Sequence, residues 1–162
     1  MSDASPRSLP DHDPRPALHA ADLAKLWEQM LVIRRVEELA ARAYTERKIL
    51  GFCHLYIGQE SVAVGAAAAC LPIDRWVTAY REHGQALAKG VSPRAMMAEL
   101  FGKATGCSKG LGGSMHLFDS SVHFMGGYGI VGAQVPLATG VAWSLKHLGT
   151  GAVCLCWFGD GA

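Results

Sequence analysis

The spacing of apolar and polar positions predicts helices over much of the first half of the chain. Between residues 22 and 48, apolar residues recur at the spacing of one helix face, with charged residues between them. Asp22 is a residue type that caps helix N-termini, so we predict a helix that starts there and runs to about Lys48. A second helix, rich in alanine, is predicted over 59–70.

Two short apolar runs are typical of β-strands. The first covers residues 76–80, and the second is the uninterrupted run Val153–Phe158. A strand that is apolar on both faces indicates a parallel sheet covered on both sides. The expected fold class is therefore α/β, a parallel sheet flanked by helices. Further helices are predicted over 82–88, 92–102 and 132–148.

Two segments carry little periodic pattern. Residues 1–20 are rich in Pro, Asp, Ser and Arg, which predicts a disordered N-terminal arm and leaves 21–162 as the folded domain. Thr105–Gly132 is rich in glycine, and we predict that it is a loop. A loop of this length in a compact domain is usually functional.

Composition narrows the classes of function. The formal net charge of the 162 residues is only +1, which argues against a nucleic-acid or acidic-membrane partner. We expect neither a targeting segment nor a membrane span, because no apolar stretch approaches roughly 18 residues. The five cysteines are odd in number and form no CxxC pair. We therefore expect reduced thiols in a cytoplasmic protein, rather than disulfides or a zinc site.

The Gly159-Asp160-Gly161 sequence follows the second predicted strand at once. Ligands of open α/β sheets bind beyond the carboxyl ends of the strands. A carboxylate between two glycines can approach Mg²⁺ and a diphosphate there, and carboxylate oxygen suits Mg²⁺. The alternative is a plain turn after a strand.

The glycine-rich segment Thr105–His116 is a second candidate site. Its backbone N–H groups could form a phosphate cradle, although the spacing matches neither the P-loop nor the dinucleotide-binding fingerprint. A flexible surface loop is an equally good interpretation of the glycine content.

Tyr80 and Arg81 stand at a predicted strand-to-helix junction. Arg81 could pair with a phosphate or carboxylate and Tyr80 offers a ring for stacking, whereas the alternative is a structural ion pair. His54 lies in an apolar segment, which is more typical of a hydrogen-bonded core histidine than of a catalyst. His12, His19 and His147 are expected to be solvated. The residues alone predict a parallel α/β domain with an anion and metal site at a strand end, and they do not predict a reaction.

Five motifs taken together are more specific than any of them alone. They are GFCHLYIGQE (51–60), TAYREHG (78–84), KGLGGSMH (109–116), GGYGIVGAQVP (126–136) and GDGA (159–162). In this order they resemble the alpha subunits of thiamine-diphosphate-dependent 2-oxo acid dehydrogenases. The segment 52–56 resembles the pyruvate dehydrogenase branch, and only the N-terminal arm lies outside the resemblance.

The resemblance implies a thiamine-diphosphate-binding fold that uses thiamine diphosphate and Mg²⁺. It also implies an alpha2-beta2 assembly with a beta subunit, and transfer of an acetyl group from pyruvate to the lipoyl-bearing acyltransferase of a multienzyme complex. Acetoin and branched-chain 2-oxo acid dehydrogenases are alternatives, as is a non-catalytic chain that only docks on a beta subunit. A nicotinamide-binding domain is disfavoured because no GxGxxG follows a predicted first strand.

The resemblance also implies roles for individual residues. His54 should face the substrate end of the pocket and is the catalytic candidate. Asp160 should be a Mg²⁺ ligand, and Arg81 should contact the diphosphate. The other expected cofactor contacts are Tyr80, Gly129 and Val131 towards the ring systems, and Gly161 and Ala162 against the diphosphate.

The family's last motif continues beyond GDG to a metal-binding asparagine, which lies past the end of the printed sequence. We therefore expect the 162 residues to be a fragment of a longer subunit, the product of a truncated reading frame or one part of a split subunit. The isolated chain should bind Mg²⁺ and cofactor weakly and should be inactive, because half a metal site coordinates Mg²⁺ poorly.

Overall fold

A parallel sheet forms the centre of the computed structural model, which describes residues 19–162. Strand β1 (Arg75–Ala79) lies between β2 (Phe124–Tyr128) and β3 (Cys154–Cys156), and pairs with both in parallel. The three central residues of β1 are buried. The predicted α/β class and the parallel sheet are confirmed.

Five α-helices surround the sheet in the described part of the chain. The bounds agree with the sequence pattern within a few residues, and the Ser92 hydroxyl caps the fourth helix by accepting a hydrogen bond from the amide of Ala95 at 3.1 Å. The helices are α1 (Ala20–Thr45), α2 (Glu60–Ala69), α3 (His83–Lys89), α4 (Pro93–Leu100) and α5 (Gln134–His147).

Helix α1 differs from the prediction at both ends. It begins at Ala20, with His19 at the cap position and no side-chain cap, so the prediction that Asp22 is the N-cap is wrong. Asp22 lies instead in the first turn, where a carboxylate interacts favourably with the positive end of the helix. The helix ends before Lys48 because Arg47 adopts a left-handed conformation, with φ of 55°. The predicted arm otherwise lies outside the described residues.

Strand β2 is the element that sequence reasoning missed, because 105–132 was interpreted as one loop. Trp76 pairs with Phe124 while Thr78 pairs with Gly127, so β2 carries one extra residue in a bulge. Gly126 has a φ of +102°, and the Phe118 ring occupies the space that a Cβ would need. Bulges and close approaches of this kind use glycine, which hides the strand from pattern analysis.

Strand β3 is shorter than the predicted run Val153–Phe158. Asp74 joins its start to β1, since one carboxylate oxygen accepts the amide of Val153 at 2.9 Å and the other accepts that of Leu71 at 2.7 Å. The two strands therefore begin side by side, and their carboxyl ends meet at the same edge of the sheet.

The main core lies between the sheet and the helices. Trp76 on β1 and Phe124 on β2 are buried there against Met96 of α4 and Leu117. All five cysteines are free in the structure. Within 19–162, no helix combines the length and the apolar character needed to cross a bilayer.

Two helical glycines provide a matched pair for testing the packing. Gly84 of α3 faces the ring of Tyr56, which overlaps the position of a Cβ and is itself buried, whereas nothing approaches Gly65 of α2. We expect Gly84→Ala to lower the free energy of unfolding by about 1–3 kcal/mol through overpacking. Gly65→Ala should raise it by about 0.5–1 kcal/mol, because alanine restricts the unfolded chain. Urea denaturation measures both, and equal effects would contradict the packing described here.

Candidate functional site

A cleft opens at the carboxyl ends of β1 and β3. Its volume is about 460 Å³, and its walls include Tyr80 and Arg81 after β1, Val131 before α5, and Asp160 and Gly161 after β3. This volume lies within the range of small-molecule sites, and the strand ends are where open α/β sheets bind ligands. The structure thus brings together five residues that the family resemblance assigned to one site.

Three other predicted site residues lie beside the cleft rather than in its walls. The His54 ring packs against that of Tyr80, with centroids 4.6 Å apart. Gly129 lies against His116, whose Nε2 is 3.3 Å from the position of a Cβ. Ala162 closes the turn after β3, because its amide donates to the carbonyl of Gly159 at 3.2 Å.

Arg81 makes a backbone contact instead of the ion pair that was the alternative interpretation. Its Nη1 donates to the carbonyl of Leu55 at 2.7 Å, and no salt bridge to it forms among the described residues. A guanidinium carries five N–H donors, so a single bond leaves donors for an anion. The side chain is exposed and lines the cleft.

The turn after β3 suits a small cation and a diphosphate. A Cβ placed on Gly159 or Gly161 would meet no atom within 4 Å, so the turn is open, and the Asp160 side chain is exposed. No group of three or more His, Cys, Asp and Glu residues that could hold a metal occurs within 19–162. A lone carboxylate fits Mg²⁺ nonetheless, since this ion binds proteins through one or two carboxylates plus ligand phosphates.

Two glutamines in the cleft walls were not identified from the sequence. Gln85 and Gln134 are buried, and their Oε1 atoms lack hydrogen-bond partners among the described residues. A buried amide oxygen without a partner costs about 1–3 kcal/mol, so both atoms are acceptors for a ligand that brings N–H or O–H donors. The one available signal was the place of Gln85, four residues after Arg81 and in the first turn of α3.

The glycine-rich segment Thr105–His116 is not a phosphate cradle. Its amides already bind the buried carboxylate of Glu99 on α4, which accepts hydrogen bonds from four of them at 2.7–3.2 Å. A carboxylate with four N–H donors satisfies the anion-binding capacity of the loop internally. The donors are the amides of Ser108, Gly110, Gly112 and Gly113.

A second buried group supports the segment that carries His54. His83 Nδ1 lies 2.6 Å from Glu37 Oε1, and His83 Nε2 lies 2.8 Å from Ser114 Oγ. Glu37 Oε2 and Ser114 Oγ accept the amides of Tyr56 and His54 at 2.7 and 2.9 Å. The sequence signal was a charged residue, Glu37, on the otherwise apolar face of α1.

The surroundings of His54 favour its neutral form. Burial lowers the pKa of this imidazole first, and the nearby Arg81 and His83 lower it further. A neutral imidazole offers one N–H donor and one acceptor, which suits hydrogen bonding to a substrate. Burial also raises the pKa of the neighbouring Cys53 thiol, with Glu37 contributing, so this cysteine stays protonated at neutral pH.

Glu82 is a fully buried acid behind the cleft. Its Oε1 accepts the amide of Leu117 at 2.6 Å, and its Oε2 lies 2.8 Å from the hydroxyl of Thr78. Burial raises the pKa of Glu82 to about 8, and these two hydrogen bonds oppose the rise only in part. In its protonated form the carboxyl can donate to Thr78 Oγ1 while that hydroxyl donates to the carbonyl of Gly126, 3.2 Å away.

This buried acid makes stability depend on pH. An unfolded Glu has a pKa of about 4.3, so between that pH and about 8 the folded chain keeps a proton that the unfolded chain releases. The stabilising contribution is complete below about pH 4.3 and is lost as the pH rises towards 8. Glu82→Gln, which cannot ionise, should flatten the decline of unfolding free energy between about pH 5 and 8. Urea titrations at several pH values measure this decline, and Glu38→Gln, a change at an exposed residue of α1, is the control. If the decline in Glu82→Gln has the same slope as in the parent, Glu82 is not the buried acid responsible.

Comparisons with known proteins identify the family of the chain. A family model described as "Dehydrogenase E1 component" matches residues 28–162. The chain is 50% identical over 161 residues to the pyruvate dehydrogenase E1 component subunit alpha of Zymomonas mobilis, covering 96% of this chain and 46% of that protein. It is 53% identical over 141 residues to the subunit of the same name from Rhizobium meliloti, covering 87% and 40%. For the Rickettsia prowazekii subunit the identity is 51% over 138 residues, covering 85% and 42%. The chain spans less than half the length of the curated relatives it matches, and it belongs to the dehydrogenase E1 component family.

Proposed function

We propose that this chain forms part of the alpha subunit of a pyruvate dehydrogenase, which decarboxylates pyruvate with thiamine diphosphate and transfers the acetyl group to a lipoyl group. The observation that carries the proposal is the cleft at the strand ends, where Arg81 and Asp160 line one space although they are far apart in sequence. The relatives that carry the pyruvate dehydrogenase name are about half identical across this region. Neither acetoin nor a branched-chain acid is favoured by any feature of the site.

The charged residues of the cleft would hold the phosphate end of the cofactor. Arg81 offers N–H donors to the diphosphate, and Asp160 offers a carboxylate oxygen to Mg²⁺. Gly161 carries no Cβ, so the backbone can approach the diphosphate closely there, and Ala162 follows it in the same turn. Bound thiamine diphosphate supplies the nucleophilic carbon and the electron sink that pyruvate decarboxylation needs.

The uncharged residues would set the orientation of the cofactor and the substrate. Tyr80 presents a ring, and Gly129 and Val131 provide backbone and a short side chain along the aminopyrimidine. His54, behind Tyr80, would face the substrate, where its neutral ring can donate one hydrogen bond and accept another.

Exposed apolar side chains around the cleft are the basis for proposing a protein interface there. Ile130, Val131 and Phe158 are 76%, 52% and 63% exposed. Exposed apolar groups beside a ligand site are typical of protein interfaces. We propose that the beta subunit of an alpha2-beta2 enzyme covers them and excludes water, and that the lipoyl-bearing acyltransferase approaches the assembled site.

The substrate assignment is tested with a complete alpha subunit that contains this sequence, reconstituted with its beta subunit. Pyruvate should support acetyl transfer to a lipoyl acceptor, and acetoin or branched-chain 2-oxo acids should support little. An enzyme that turned over acetoin and ignored pyruvate would contradict the proposal.

Arg81→Ala in the same enzyme should weaken thiamine diphosphate binding by about 1.5–3 kcal/mol, the scale of a hydrogen bond to a charged group. Isothermal titration at fixed Mg²⁺ measures this change. Arg94→Ala is the matched control, because Arg94 is an exposed arginine on α4 and lies outside the cleft. If Arg81→Ala and Arg94→Ala bind the cofactor equally well, the diphosphate is held elsewhere.

A further inference from the structure

Glu37, His83 and Ser114 form a continuous hydrogen-bonded chain from α1 through α3 to the glycine-rich segment. Their side chains are joined by contacts of 2.6 and 2.8 Å, and the three residues are 0%, 0% and 3% exposed. The order of carboxylate, imidazole and hydroxyl is that of a hydrolytic triad. A hydrolase needs its hydroxyl open to substrate, however, and this hydroxyl is buried and accepts the amide of His54. These three residues therefore bind another part of the protein rather than a substrate.

Both ends of this hydrogen-bonded network bind one backbone segment, residues 54–56. The amides of His54 and Tyr56 donate to Ser114 Oγ and Glu37 Oε2, and the carbonyl between them, that of Leu55, accepts from Arg81. Three successive residues thus have one backbone group each fixed by a side chain from elsewhere in the fold. The segment itself is neither helix nor strand, so secondary structure does not supply these bonds.

Packing constrains the residues before this segment weakly, whereas Cys53, Leu55 and Tyr56 pack against the core. Leu50 and Phe52 are 83% and 70% exposed, so their side chains do not anchor it among the described residues. The ring of His54 rests against Tyr80 in the cleft wall, and its direction follows from where its backbone is held. Displacement of a catalytic group by about 1 Å can cost about 100-fold in rate.

We propose that Glu37, His83 and Ser114 are positioning residues that set the place of the His54 imidazole at the substrate end of the cleft. This inference rests on the proposed function for the role of His54. The anchoring of the 54–56 backbone is a separate physical claim with its own measurement.

Ser114→Ala tests the proposal in the reconstituted enzyme, with Ser108→Ala as the matched control. Ser108 is also a loop hydroxyl with two hydrogen bonds, to the carbonyl of His116 and from the amide of Phe118, and it does not touch 54–56. We expect Ser114→Ala to lower kcat for pyruvate by about 10- to 100-fold with KM changed less than about threefold, and Ser108→Ala to stay within about twofold. Equal losses in the two variants would mean a general structural role and would overturn the proposal.

Hydrogen exchange followed by mass spectrometry gives the second readout. In Ser114→Ala the amides of His54 and Tyr56 should exchange at least about tenfold faster, while peptides from α1 and α5 exchange as in the parent. Unchanged exchange at 54–56 would overturn the anchoring. If Ser114→Ala does not fold, Ser114→Cys under reducing conditions fills the same space with a much weaker hydrogen-bonding group, and the same result is expected. A parent enzyme without pyruvate turnover would defeat the proposed function, and the exchange measurement would then decide the anchoring alone.

Discussion

Buried glutamates that bind backbone amides hold the irregular parts of this fold in place. Glu37 on α1, Glu82 at the start of α3 and Glu99 on α4 are at most 1% exposed, and each accepts at least one backbone amide from a segment outside its own helix. Burying a carboxylate is costly unless it is hydrogen-bonded, and a backbone N–H without a partner is costly too. Each hydrogen bond satisfies the buried carboxylate and the backbone N–H at the same time. The glutamates on these helices therefore hold the irregular segments in place.

The candidate site depends on which polar groups these buried glutamates already bind and which remain open. Because Glu99 occupies the amides of the glycine-rich segment, that segment serves as a rigid wall rather than as an anion site. Ser114 in the same segment then anchors the backbone of His54 through a bond of 2.9 Å. The open donors and the free carboxylate are left at the strand ends, on Arg81 and Asp160, where the proposed cofactor carries its charge.

The sequence predicted the elements with regular patterns. The resemblance to a known family, rather than the strand assignments, implied that Arg81 and Asp160 serve one site, and the structure places both in the walls of one cleft. Strand β2 was not predicted, because the glycines that its bulge requires interrupt the apolar pattern of a strand. The buried glutamates were missed for a different reason. A carboxylate on a helix is usually a solvated position, and the partners of these carboxylates are backbone amides 9–35 residues away, which carry no sequence signal.

A crystal structure of the assembled enzyme with thiamine diphosphate and Mg²⁺ would show which segment holds the diphosphate. We expect the diphosphate beside Arg81 and the backbone of 159–162, with a carboxylate oxygen of Asp160 on the metal. The four amides of the glycine-rich segment that bind Glu99 should stay on it, and the His54 ring should face the substrate end. A diphosphate seated on the glycine-rich segment, with Glu99 displaced, would contradict this arrangement.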